Sequence, residues 1–228
     1  MKKKMLKILG ITLTVILLML LVTSAVAGYF PPVTILETLD MTHYSKSGGG
    51  ACGPSSGVSI GRYYRDEHQP EYSLLPEPDI DMYDDLYAYM GSDTWYYYYG
   101  YWFCRMTEDC GYGYNDFNYV RDKTVTNDDF WNMVDAINNG WPVALNGEFP
   151  DDGGVIYTDG NGNWPTEGHY WAIRGYSYRI TFYGGRVQLG DFRIICTDSY
   201  SHADYMELDW NYLVGNNDHM HTIIIKDA

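Results

Sequence analysis

The chain has 228 residues, with 30 acidic side chains against 15 basic ones, a formal charge of −15 and a sequence pI of about 4.5. Such a surface repels phosphate, which excludes a nucleic-acid partner. The length suits one full hydrophobic core that does not depend on disulfides.

Residues 1 to 27 read as a secretory signal peptide. Lys2, Lys3, Lys4 and Lys7 form a basic start, an apolar run extends from Ile8 to Val22, and Ala25-Val26-Ala27 supplies the cleavage site. Cleavage is expected after Ala27, giving a secreted domain of residues 28–228 whose formal charge moves to −19 as the four lysines leave. The alternative is an uncleaved anchor helix, because the segment approaches the roughly 20 residues that span a bilayer. Only in that case is a membrane a partner.

Residues 28–47 form a lead-in, made extended by Pro31-Pro32. The segment GGGACGPSSGVSIGRYY, residues 48–64, then passes from a glycine-rich turn to a helix starting at Cys52 or Gly53. Pro54 fits the first turn, where its missing N–H costs nothing. Val58 and Tyr63 or Tyr64 are expected to face the core, while Ser55, Ser56, Gly57 and Gly61 admit a close neighbour. A second helix is expected over Asp81 to Met90.

The chain holds 24 tyrosines, clustered in WYYYYGYWF at 95–103. The cluster reads either as a stacking surface for sugar or peptide, or as packing with hydroxyls at the rim. In an exported chain, Cys104 and Cys110 are the expected disulfide pair, which leaves Cys52 free and Cys196 a buried thiol.

A third helix is predicted over Asn127 to Asn139, with Thr126 and Asp129 at capping-box spacing, Phe130, Val134 and Ile137 on one face, and Gly140 as its end. Asp159 to Trp164 imitates a calcium loop, but Trp164 stands at the glycine position and Tyr170 at the closing glutamate, so a surface turn is expected there. Strands follow in PVALN, HYWAIRGYSYRITFY, RVQLGDFRIICTD and HTIIIKD. Helices first and strands later point to an α+β fold.

Three residues supply a reactive constellation. A thiol at a helix start meets unpaired N–H groups and the positive end of the helix dipole, which favour a thiolate at Cys52. His169 opens one apolar run as the base, and Asp198 closes another as its orienting carboxylate. A turn at Gly184-Gly185 would pair Tyr183 with Arg186 and set His169 opposite Tyr200. His169 and Asp198 then become same-face diagonal neighbours, roughly 7–8 Å apart at the backbone, and a bulge at Gly190 would bring them closer. The bland alternatives are a core cysteine, a structural histidine and an aspartate that caps a turn. His202, His219 and His221 have no specific metal spacing and read as ordinary polar positions, so no metal is expected.

ACGPSSG with the following tyrosine pair, GWPVAL, GHYWAIRGY and ICTDSY resemble the papain-like cysteine peptidases of bacteria, in particular secreted domains similar to the bacteriocin-leader peptidases. The stretch from MYDDLYAYM through DCGYGY is similar in tone. The resemblance covers most of residues 40–200. It implies a helical N-terminal half carrying Cys52, an antiparallel β C-terminal half carrying His169 and Asp198, a peptide or protein substrate in the cleft between them, and no cofactor.

The sequence departs from that family at one position. A glutamine usually precedes the cysteine by five or six residues and binds the oxyanion, but here those positions are Ser47 and Lys46, and the first glutamine is Gln69. The N–H of Cys52 remains one donor, with Lys46, Ser45 and His43 as candidate substitutes. Losing an oxyanion donor costs about 10²–10³ in rate. A secreted peptidase is therefore weighed against a peptide- or cell-wall-binding module on the same fold, and against another Cys-His-Asp acyl-transfer enzyme of amidase or transglutaminase type.

Overall fold

The structure is a computed structural model and describes residues 29–47, 51–68, 75–92, 98–112, 117–122, 125–147, 154–161, 168–183, 186–214 and 219–225. The signal-peptide segment, Gly48 to Gly50, Gly184-Gly185 and the second half of the DGNGNW turn, 162–164, lie outside them. No helix among the described residues is long and apolar enough to cross a membrane.

The lead-in around Pro31-Pro32 is strand β1, Tyr29–Thr38. Helix α1, Cys52–Tyr63, continues into a π-helical turn at Tyr64–His68, followed by α2, Asp79–Met90, and α3, Tyr99–Asp109. Strand β2, Phe117–Asp122, precedes α4, Asp129–Asn138. The remainder is β3 Val143–Gly147, β4 Val155–Thr158, β5 His169–Tyr183, β6 Arg186–Asp198, β7 Ala203–Asp209, the short helix α5 Trp210–Leu213 and β8 His219–Ile225. Eight strands form one sheet in the order β2, β8, β3, β5, β6, β7, β4, and β1 pairs with β5 off that path. The fold is α+β, but β1 and β2 correct the expectation that strands come only after the helices.

The chain divides into two units. The larger comprises 36–177 and 192–228, and holds every residue of the candidate site. The smaller comprises 1–35 and 178–191. Among its described residues are the outer arms of β5 and β6, where Arg179 pairs with Asp191 at 3.1 Å.

Within the larger unit α1 is a buried helix, with every residue from Gly53 to Gly61 buried. An isolated helix with these glycines would be unstable, so packing has to hold it. The glycines permit that packing. A Cβ on Gly57 would stand 2.9 Å from Leu86 Cδ1, and one on Gly61 would stand 2.4 Å from Met82 Sδ, so both admit α2 side chains. Val58, Ile60, Tyr64, Leu86, Tyr99 and Phe103 join Ala144, Tyr170, Ala172 and Ile223 of the sheet in one core. The Tyr64 hydroxyl ties this layer to β8 by donating to the Ile223 carbonyl at 2.6 Å.

Two sequence features can now be placed, and the second corrects the expected disulfide. The tyrosine-rich segment is helical where it is described: Tyr99, Phe103 and Met106 are buried in α3, while Tyr98 and Tyr101 are exposed. Cys104 and Cys110 are not joined by a disulfide. Cys104 lies within α3 and Cys110 is its C-cap. Six helical residues rise about 9 Å, beyond the roughly 4.4–6.8 Å Cα separation that a disulfide spans.

Candidate active site

Cys52 is the first residue of α1, preceded by Ala51 in an extended conformation (φ −78°, ψ 136°). Its N–H lies in the first turn, where a helix offers no carbonyl partner. The N–H of Ala51 donates to the Tyr83 hydroxyl at 2.8 Å, fixing the helix start against α2. The helix starts where the sequence predicts, at Cys52, while the glycines at 48–50 lie outside the described residues.

His169 is the first residue of β5. Antiparallel pairing with β3 sets it opposite Gly147, with Ala172 opposite Ala144. Asn146 donates its side-chain amide to the His169 carbonyl at 3.2 Å. Trp171 and Tyr200 stand edge-on to the imidazole, with centroids at 5.1 and 6.2 Å. The ring is thus confined on several sides and only 3% exposed.

Asp198 ends β6 and is fully buried. Its Oδ1 lies 2.5 Å from His169 Nε2. That contact leaves Nδ1 of the imidazole free of Asp198, and Cys52 and His169 lie close enough for each to shift the other's pKa. The three residues therefore stand in the order thiol, imidazole, carboxylate. A register shift lies between Cys196 and Asp198, on the β7 side of β6. Asp198 also accepts from Tyr200 N at 3.2 Å, Ser201 N at 2.8 Å and Ser201 Oγ at 2.5 Å. The bland reading of Asp198 as a turn cap and the functional reading as a histidine partner hold together in one carboxylate.

The electrostatics follow from these contacts. Burial alone would raise the Cys52 pKa, but the His169 hydrogen bond and charge, with the N–H groups of Tyr170 and Gly53, bring it below its ordinary 9.0. Burial would lower that of His169, yet Asp198 and Cys52 outweigh it and raise the pKa to about 9. Burial opposes the Asp198 charge, but His169 and Ser201 hold its carboxyl below the ordinary carboxylate value. All three shifts favour the charged forms, thiolate, imidazolium and carboxylate.

The candidate oxyanion substitutes are engaged elsewhere. Lys46 Nζ contacts Asp84 Oδ1 at 2.8 Å. Ser45 Oγ donates to the Ser199 carbonyl at 2.5 Å, and His43 Nδ1 lies 2.7 Å from Asp204 Oδ1. The segment before the cysteine is thereby fastened to the turn that follows Asp198. Cys196 is a buried thiol in β6, its pKa raised well above the ordinary value by burial.

Among the described residues no three His, Cys, Asp or Glu side chains stand together as a metal-ligand set. His202 is exposed in a turn. His221 corrects its reading as an ordinary polar position: it is fully buried in β8 and its Nδ1 accepts from Gly100 N at 3.4 Å. Ser201 is the residue that sequence reasoning missed. The signal was present in Asp198-Ser199-Tyr200-Ser201, because an aspartate that caps N–H groups two and three residues on makes a local turn.

The model of the family described as Peptidase_C39 like matches residues 38–217. The chain belongs to that family. It is a papain-like, C39-type cysteine peptidase domain by descent, and the match spans Cys52, His169 and Asp198. No curated protein matches this C39-like chain.

Proposed function

We propose that this C39-like protein hydrolyses peptide bonds through Cys52, His169 and Asp198. The observation that carries the reading is the buried His169–Asp198 contact, with its imidazole coupled electrostatically to a thiol at the start of a buried helix. The Cys52 thiolate attacks the scissile carbonyl carbon, a C–S bond forms, and the carbonyl electron pair moves onto oxygen. The Cys52 N–H donates to that oxyanion. As the tetrahedral intermediate collapses, the C–N bond breaks and imidazolium His169 gives its Nδ1 proton to the departing amine. Water then attacks the thioester, losing a proton to His169. The acid product leaves, and thiolate and imidazolium are restored. Asp198 stays ionised throughout, holding Nε2–H and the ring orientation.

The substrate class is peptide or protein, and the protein acts after export, with residues 1–27 as its signal peptide. The engagement of His43, Ser45 and Lys46 with other partners favours a second reading, a peptide-binding module of low turnover. Turnover of a broad peptide library by wild type, Cys52→Ala and His169→Ala, with circular dichroism as the folding control, separates the two. Cleavage lost in both variants is expected. Cleavage by Cys52→Ala equal to wild type overturns the assignment, and a wild type that cleaves nothing supports the binding module.

A further inference from the structure

Lys46 does not approach the thiol but completes a different arrangement. Its ammonium pairs with Asp84 and lies 4.6 Å from the centroid of the Tyr83 ring. A carboxylate beside a tyrosine face is what holds an organic cation, through charge pairing on one side and the ring quadrupole on the other. The position matters because the Tyr83 hydroxyl accepts the N–H of Ala51, the residue immediately before Cys52.

Two more rings extend this arrangement. Tyr44 lies 5.8 Å from Tyr83, and Tyr87, one turn further along α2, stacks on it at 6.0 Å and 22°. Tyr87 is 43% exposed and Asp84 is exposed as well. The neighbouring acid Asp79 is engaged by Arg62 and Arg65, so Asp84 carries the negative charge offered along the ladder.

We propose that Asp84, Tyr83 and Tyr87 form a subsite for a basic side chain of the bound peptide, occupied in the free protein by Lys46. The proposal rests on the peptide-substrate reading above and adds a specificity to it. Lys46 is a suitable occupant to displace: exposed ion pairs are weak, and its ammonium sits on a flexible four-carbon stem. An incoming arginine or lysine that displaces Lys46 takes the Asp84 carboxylate and the face of the otherwise buried Tyr83 ring, with the exposed Tyr87 stacked on that ring. Arginine is favoured, since its planar guanidinium both stacks on a ring and forks onto a carboxylate. The excess of acidic over basic residues adds attraction for basic peptides.

The test uses the full chain carrying Cys52→Ala, so that peptides are bound and not cut. The probes are fluorescein-labelled heptapeptide pools whose central position is Arg, Lys, norleucine or Glu, with the others randomised, read by fluorescence polarisation. The Arg and Lys pools are expected to bind about three- to tenfold more tightly than the norleucine pool. Adding Asp84→Asn should abolish that difference, and adding Lys46→Met should tighten the Arg pool by a similar factor. Equal binding of the Arg, Lys and norleucine pools, no binding by any pool, or a preference that survives Asp84→Asn overturns the proposal. Wild type incubated with the same pools tests the peptidase reading separately. Selective binding of basic pools without cleavage supports the subsite while the catalytic reading fails.

Discussion

Ser201 delivers both its hydroxyl and its backbone N–H to Asp198 Oδ2, while His169 holds Oδ1. The carboxylate is therefore fixed at both oxygens, and the imidazole it orients inherits that constraint. Ser201→Ala removes one charge-assisted bond inside a fully buried site, worth about 1.5–3 kcal/mol. The expected result is a fall in kcat of roughly tenfold or more with KM nearly unchanged, and a lowered melting temperature. Ser201→Thr should restore most of both. Steady-state kinetics and thermal unfolding of the three proteins decide it, and an unchanged kcat in Ser201→Ala would remove Ser201 from the site.

The same couple sets a pH window. Cys52 loses its proton below its ordinary 9.0, so the thiolate population and kcat/KM rise with pH to a plateau. His169 releases its proton near pH 9, so the profile falls again through that value. Asp198→Asn removes the charge that offsets the cost of burying the imidazolium, and the alkaline limb should move to lower pH. Stability carries the matching sign. The folded pKa of His169 lies above its ordinary 6.5, so its contribution is complete below pH 6.5 and is lost as pH rises through about 9. Profiles of kcat/KM and of melting temperature against pH measure both effects.

Thiol reactivity distinguishes the four cysteines. Burial raises the pKa of Cys196 and of Cys110, whereas that of Cys52 is lowered. Iodoacetamide at pH 6.5 should therefore alkylate Cys52 well before Cys196 and Cys110, as followed by peptide mass mapping. Denatured but unreduced protein should present four titratable thiols, since none of the four is in a disulfide in the structure. Equal labelling of Cys52 and Cys196 would argue against a reactive thiolate.

What the sequence made legible depended on whether local and tertiary signals agreed. The strands carrying His169 and Asp198 were readable because long apolar runs flank a glycine pair, and they form over the expected residues. The start of α1 was readable because glycine and proline there have only one economical use. Helix α3 was hidden because tyrosine occupies both faces: Tyr99 is buried and Tyr101 is exposed, so no apolar period stands out. Strand β7 was missed although Ala203, Met206 and Leu208 are buried, because Asp204, Tyr205 and Glu207 between them read as turn and surface. Lys46 was misjudged for another reason. Its distance from Cys52 along the chain said nothing about Asp84, which α2 brings to it.

Gly175 offers a test of how tightly β5 is held. It sits six residues after His169, where a Cβ would stand 2.4 Å from the Glu37 carbonyl oxygen, 2.8 Å from Thr38 Cγ2 and 3.1 Å from Thr38 Cα. Two of those atoms are backbone. Leu39 N, just past β1, also donates to the Arg174 carbonyl at 2.6 Å, so the end of β1 is held where it passes β5 and has little room to retreat. Overpacking of this kind costs about 1–3 kcal/mol, which for a domain near 200 residues lowers Tm by roughly 2–12 °C. Gly175→Ala is expected to fall in that range. Gly61→Ala should cost less, because its Cβ would meet the end of the flexible Met82 side chain. Gly168→Ala, with no described atom within 4 Å of the added carbon, should melt within a degree or two of wild type. Thermal unfolding of the three variants gives the order, and a Gly175→Ala protein as stable as Gly168→Ala would mean that the end of β1 yields to the added methyl group.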